Sequence, residues 1–137
     1  AEDCAEAMAK HDAVSKNLGI RIESLAPGKA VLSMKVRQDM LNGHGICHGG
    51  MIFTLADTAF AYACNSEGQA AVASGCTIDF LKPGAEGEQL IATAEKHYQS
   101  SRTGLYDVSV CNQNNEVLAQ FRGRAFRINR TVISEET

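Results

Sequence analysis

The chain has 137 residues, 45% of them apolar and 21% charged, with a formal charge of −3 at pH 7. That length makes one domain, residues 1–137, with room for a real hydrophobic core, and the composition is that of an ordinary globular protein. A weakly acidic charge gives no sign of nucleic-acid binding by bulk electrostatics, and with no apolar run of membrane-spanning length and a polar N-terminus neither a membrane span nor a signal peptide is expected.

Residues 2–18 are rich in helix formers and read as a terminal helix that Gly19 ends. Ile20, Ile22 and Leu25 mark a strand, Pro27-Gly28-Lys29 a turn, and Ala30, Leu32, Met34 and Val36 the alternation of a half-buried second strand. Gly43, Gly45, Gly49 and Gly50 make the next loop irregular, and a helix over 51–65 follows. It is apolar nearly all round, which predicts burial on most sides. Four strands come next, over 71–81, 89–99, 105–113 and 117–128, with turns at Lys82-Pro83-Gly84, Ser100 to Gly104 and Asn114-Asn115. Short turns between the last strands predict antiparallel pairing. The polar stretch 130–137 is a tail. The fold class is α+β: one antiparallel sheet and one long buried helix. A sheet covers one side of such a helix, so a second copy of the chain is the economical cover for the other, and at least a homodimer is expected.

The five cysteines are odd in number and contain no CxxC. They read as reduced, mostly buried thiols in a cytoplasmic protein, without a disulfide framework or zinc site. Arg122, Arg124, Arg127 and Arg130 cluster late, while the acidic residues are scattered.

The chemistry concentrates between Asn42 and Asn65. Asp57 is the one charged residue of the apolar helix and is flanked by Leu55, Ala56, Ala59 and Phe60. A partly desolvated carboxylate acts as a general base toward water or as a nucleophile toward an acyl carbon, whereas an ordinary helix aspartate bonds a nearby hydroxyl or solvent. The turn His48-Gly49-Gly50 ahead of it is either plain chain geometry or a source of bare amides. In the second case the amide of Gly49 or Gly50, backed by the helix dipole, polarises an ester or thioester carbonyl. His48 orients that loop or touches substrate. Asn42 is a turn residue or positions the acyl group or the attacking water. Gly50 and Asp57 are seven residues and about 10 Å apart along the axis, too far to meet one carbonyl carbon within a chain. Two antiparallel copies of the helix across a two-fold axis would bring the turn of one to the Asp57 of the other.

Other candidates are weaker. Cys47 beside His48 lacks an orienting third residue for a nucleophilic pair. His44, His48 and His97 form no familiar metal spacing, and the glycines match neither GxGxxG nor a P-loop. Lys82 and Arg102 lie at turns where they serve as solvated charges or bind the phosphates of a nucleotide-bearing substrate. Ser74, early in the strand after the helix, is within possible reach of an acyl site.

The strings NGHGICHGG, LADTAFAYACN and ASGCTIDFLKPG, within a likeness running from about Asp12 to Ile128, closely resemble the PaaI group of hotdog-fold acyl-CoA thioesterases, linked to phenylacetate breakdown. The resemblance implies a long central helix wrapped by an antiparallel sheet, dimers that pair into a homotetramer, and sites at the dimer interface that hydrolyse the coenzyme A thioester. By position, Asp57 is then the nucleophile or general base, Gly49 the polarising amide with His48 beside it, and Asn42 the positioning residue. The implied substrate is phenylacetyl-CoA or a ring-hydroxylated relative, and coenzyme A enters as part of the substrate, not as a cofactor. Phe53, Phe60 and Tyr62 are acyl-pocket candidates that equally suit the helix core. The alternatives are a non-catalytic acyl-CoA-binding protein, a thioesterase for another aromatic or medium-chain acyl group, and a dehydratase. The last would use a histidine with an acidic residue, and this helix has no histidine.

Overall fold

A computed structural model describes residues 1–133. Two short helices, α1 (Glu2–Ala9) and α2 (Ala13–Leu18), replace the single expected one. The break lies at Asp12, whose carboxylate caps α2 by accepting the Ser15 N–H at 3.2 Å and the Ser15 hydroxyl at 2.6 Å. A third donor, the Tyr62 hydroxyl at 2.9 Å, ties this corner to the central helix. Gly19 ends α2 in the left-handed conformation, at φ 71°, where a Cβ would be strained.

Strands β1 (Arg21–Ala26) and β2 (Lys29–Lys35) form the expected hairpin. A 3-10 turn over Gln38–Met40, absent from the sequence expectation, leads toward α3 (Gly49–Cys64). Strands β3 (Gln69–Phe80), β4 (Gln89–Gln99), β5 (Thr103–Cys111) and β6 (Val117–Thr131) complete the chain. Of the tail expected at 130–137, β6 takes the first two residues and 134–137 lie outside the described residues.

All pairings are antiparallel, in the order β1-β2-β4-β5-β6-β3. The Lys82-Pro83-Gly84 turn is therefore not a hairpin. β3 pairs with β6 at the sheet's edge, and the segment after it crosses to β4, held where the Cys47 N–H donates to the Gly84 carbonyl at 2.7 Å.

Helix α3 lies on the inner face of this sheet. Leu55, Ala56, Ala59, Phe60 and Ala63 pack against Leu32, Leu90, Ala92, Val108 and Val110 in one core. Burying a side chain the size of Leu55 or Phe60 is worth about 2 kcal/mol. Small residues let the helix come close: a methyl on Gly123 would fall 2.7 Å from the Phe60 ring. The helix is not buried all round. Gly50, Thr54, Asp57, Thr58 and Ala61 are part-exposed or exposed, and their spacing puts them on one open face.

Candidate active site

The first turn of α3 is organised by His48. Its Nδ1 accepts the Gly50 N–H at 2.9 Å, and its carbonyl accepts the Met51 N–H at 2.9 Å. The imidazole is thus the side-chain cap of α3 and a loop-orienting group. A ring nitrogen that accepts is unprotonated, so this contact requires the neutral ring with its proton on Nε2. Gly50, a candidate donor to substrate, has already given its N–H to His48. The Gly49 N–H makes no hydrogen bond among the described residues. A free amide at the head of a 16-residue helix is well suited to stabilise negative charge on an oxygen.

Asn42 holds the loop before the helix. Its Oδ1 accepts the His44 N–H at 2.9 Å and the Ile46 N–H at 3.4 Å, and its own N–H donates to the Ile46 carbonyl at 2.8 Å. Its turn role is therefore real, while its amide nitrogen makes no bond among the described residues and keeps two donors for a ligand.

Asp57 lies on the open face, eight residues beyond Gly49 and about 12 Å along the axis. It makes no hydrogen bond or ion pair among the described residues. The neighbouring hydroxyls do not serve it: Thr54 donates back to the Gly50 carbonyl at 2.8 Å and Thr58 to the Thr54 carbonyl at 2.6 Å. Burial alone pushes its carboxyl above the ordinary aspartate range. Such a group is poised for proton transfer or attack.

The remaining candidates separate. Ser74 donates its hydroxyl to the Arg124 carbonyl at 3.2 Å, on the edge strand. Lys82 pairs with Glu116 at 3.1 Å. Arg102 lines an open cleft of about 340 Å³ with Gln69, Ser101 and Arg127, beyond the C-terminal end of α3. Cys47 is buried, which pushes its thiol up and away from nucleophilic use. Three cysteines are buried as expected, whereas Cys76 is exposed. No group of three or more metal-ligating side chains occurs among the described residues. Of the aromatic candidates, Phe60 and Tyr62 belong to the core and only Phe53 is part-exposed.

One site residue escaped the sequence reading. Phe80 is opposite the buried Ala119 in the β3–β6 register, so its side chain shares the inner face of the sheet. Its ring reaches Gly49: a methyl there would lie 3.3 Å from the ring tip. Ile78, two residues earlier on the same face, sits opposite Phe121, which Phe53 meets edge-on with ring centroids 5.6 Å apart. Alternation along β3 reveals the face, but only the strand order reveals the contact with Gly49.

A profile of the thioesterase superfamily matches residues 44–119, which spans the glycine turn, α3 and the strands up to the start of β6. The acyl-coenzyme A thioesterase PaaI of Escherichia coli is 55% identical over 131 residues, covering 96% of this chain and 94% of its own. The structure of the E. coli PaaI protein from the phenylacetic acid degradation operon superposes with a TM-score of 0.93, covering 94% of each chain. A Streptococcus mutans protein solved bound to acetyl CoA, 29% identical, superposes with a TM-score of 0.78 over 81% of this chain and 90% of its own.

Proposed function

This chain belongs to the thioesterase superfamily as a hotdog-fold acyl-CoA thioesterase of the PaaI group, and we propose that its substrate is phenylacetyl-CoA or a ring-hydroxylated phenylacetyl-CoA. The observation that carries the mechanism is a pair of free groups on α3: an unbonded Gly49 amide at its head and an unpartnered Asp57 carboxylate on its open face. The Gly49 N–H holds the thioester oxygen as negative charge grows on it. Asp57 either takes a proton from water, which then attacks the carbonyl carbon, or attacks that carbon itself, after which water cleaves the acyl-aspartate. On both routes the carbon–sulfur bond breaks and the sulfur leaves with a proton as free coenzyme A. One water is consumed and the acid is released.

The axial gap of about 12 Å between Gly49 and Asp57 supports a site shared between subunits. Two copies of α3 laid antiparallel on their open faces bring the turn of one protomer to the carboxylate of the other. A homodimer is the smallest such unit, and a homotetramer is two of them. Among the described residues the edge of β3 away from β6 has no strand partner, and Val72 and Leu81 are exposed along or just beyond it, which supports a second copy as the cover.

Asn42 positions the acyl group or the attacking water with its free amide nitrogen, and His48 holds the turn. Arg102, which lines the cleft and makes no side-chain ion pair among the described residues, is the better placed candidate for the phosphates of coenzyme A, whereas Arg127 beside it is already paired with Glu67 at 3.2 Å. Lys82, already paired with Glu116, and Ser74 are the weaker ones. Five unpaired cysteines suit a reducing cytoplasm. No helix among the described residues is long and apolar enough to cross a membrane.

The test is release of free thiol from phenylacetyl-CoA, set against aliphatic acyl-CoAs. Chains with Asp57→Asn are then mixed with chains whose turn is disrupted by Gly49→Pro. Shared sites predict that the mixture regains turnover that neither parent has. A mixture that exchanges subunits but stays inactive sinks the shared site, and no thiol release from any acyl-CoA by the unaltered protein sinks the enzyme reading.

A further inference from the structure

The inner face of β3 carries Cys76, Ile78 and Phe80 in alternation, and its end reaches the head of α3. Phe80 is 52% exposed although it points to the inner face. An aromatic ring in that position is covered on one side by Gly49 and open on the other. The ring tip, 3.3 Å from where a Gly49 methyl would be, lies close against the helix, and a side chain at that position would have to push the ring back. The ring thus borders the head of α3, where an oxygen held by the Gly49 N–H would sit, and offers a face to one substituent of the carbonyl carbon. The two substituents differ in chemistry: the pantetheine arm carries amides, the acyl group is apolar. The surface leading away from Gly49 is apolar too, made of Phe80, Ile78 and the part-exposed Phe53, one helical turn on from Gly49.

We infer that Phe80 is the specificity-determining residue of this site: its ring is the surface on which the acyl group lies while Gly49 holds the thioester oxygen, and it favours aromatic over straight-chain acyl groups. This rests on the thioesterase reading above and deepens it. A planar acyl ring meets Phe80 offset or edge-on, an arrangement that rewards aromatic pairs beyond the area they bury. A short alkyl chain offers little to that face. Because Phe80 and Gly49 touch, the acyl group is sorted at the point where its carbonyl is activated, and discrimination enters kcat/KM rather than simple affinity.

The experiment compares Phe80→Ala and Phe80→Leu with the unaltered protein on phenylacetyl-CoA and on hexanoyl-CoA, reading the ratio of the two kcat/KM values. The expected result is a fall of about ten-fold in the aromatic-to-aliphatic ratio for Phe80→Ala. Phe80→Leu, which keeps most of the volume without the ring, should shift the ratio in the same direction and stands in if the alanine variant fails to fold. An unchanged ratio in both, whether activity falls equally on the two substrates or not at all, overturns the inference while leaving the thioesterase intact. Failure of the unaltered protein on both substrates refutes the underlying reading instead.

Discussion

The Nδ1 of His48 accepts the N–H of Gly50 at 2.9 Å. This one bond divides the two glycine amides. Gly50 is spent on the cap, and Gly49, a residue earlier, presents its N–H from a turn that the cap holds still. On the proposed mechanism the histidine supports the Gly49 amide without needing to touch the substrate, and its removal ought to look like the loss of a cap.

Replacing His48 by alanine should cost about 1 kcal/mol of stability and lower the thermal midpoint by roughly 3 °C, with turnover reduced as the first turn frays. Asparagine is a good helix cap and should restore most of both. Thermal melts and thiol-release rates of the two variants check this. If asparagine rescues the melt but not the rate, His48 has a direct chemical role.

Asp57→Asn should lower kcat by at least about 100-fold, the scale of a lost general base. The same change removes a desolvated carboxylate that makes no bond among the described residues, so the melting temperature should hold or rise. Rate and melt therefore move apart, which is the signature of a functional group rather than a structural one.

The raised pKa of Asp57 has a definite sign in both activity and stability. Only the ionised carboxylate is a base or nucleophile, so kcat/KM falls as pH drops through the raised folded-state value, at a higher pH than an ordinary aspartate would give. In stability the folded chain holds this proton more tightly than the unfolded chain does. The group therefore disfavours the folded state increasingly as pH rises from the ordinary value near about 3.9 through the raised one, and by a constant amount above it. Asp57→Asn should abolish that contribution, and paired denaturation curves across this acidic window measure the difference.

Tyr62→Phe deletes the hydroxyl bonded to Asp12 at 2.9 Å. A hydrogen bond to a charged group is worth about 1.5–3 kcal/mol. Asp12→Ala loses that bond and the α2 cap together, and should cost more. A double-mutant cycle by urea denaturation should show coupling between the two substitutions, with hydrolysis at low temperature little altered, since the corner lies away from Gly49 and Asp57.

Much of this molecule could be read in advance where the signal was local. The alternation of Ala30, Leu32, Met34 and Val36 places β2, β4 matches its predicted ends, and an apolar helix holding one carboxylate points to Asp57. What escaped depends on distant partners. The terminal helix splits at Asp12 because that carboxylate serves Ser15 and also Tyr62, 50 residues away. His48 was legible as a loop-orienting residue, but histidine is not among the favoured helix caps, so the form that the role takes, a cap on Gly50, shows only in the structure. The Lys82-Pro83-Gly84 turn has the composition of a hairpin, yet β3 joins β6 because the inner faces match across the sheet. Phe80 meets Gly49 only once that register is set, and no spacing between residues 31 apart in sequence encodes it.

The place of β3 in the sheet also orders events in time. Among the described residues its strand partner is β6, which is synthesised after β4 and β5. Once the ribosome has made β4, α3 can settle on β2 and β4, but β3 meets its partner strand only when Val117–Thr131 emerges. The wall that carries Phe80 is thus added after the helix that carries Asp57. A chain stopped short of β6 would keep the carboxylate and leave unanchored the surface proposed to tell one acyl group from another.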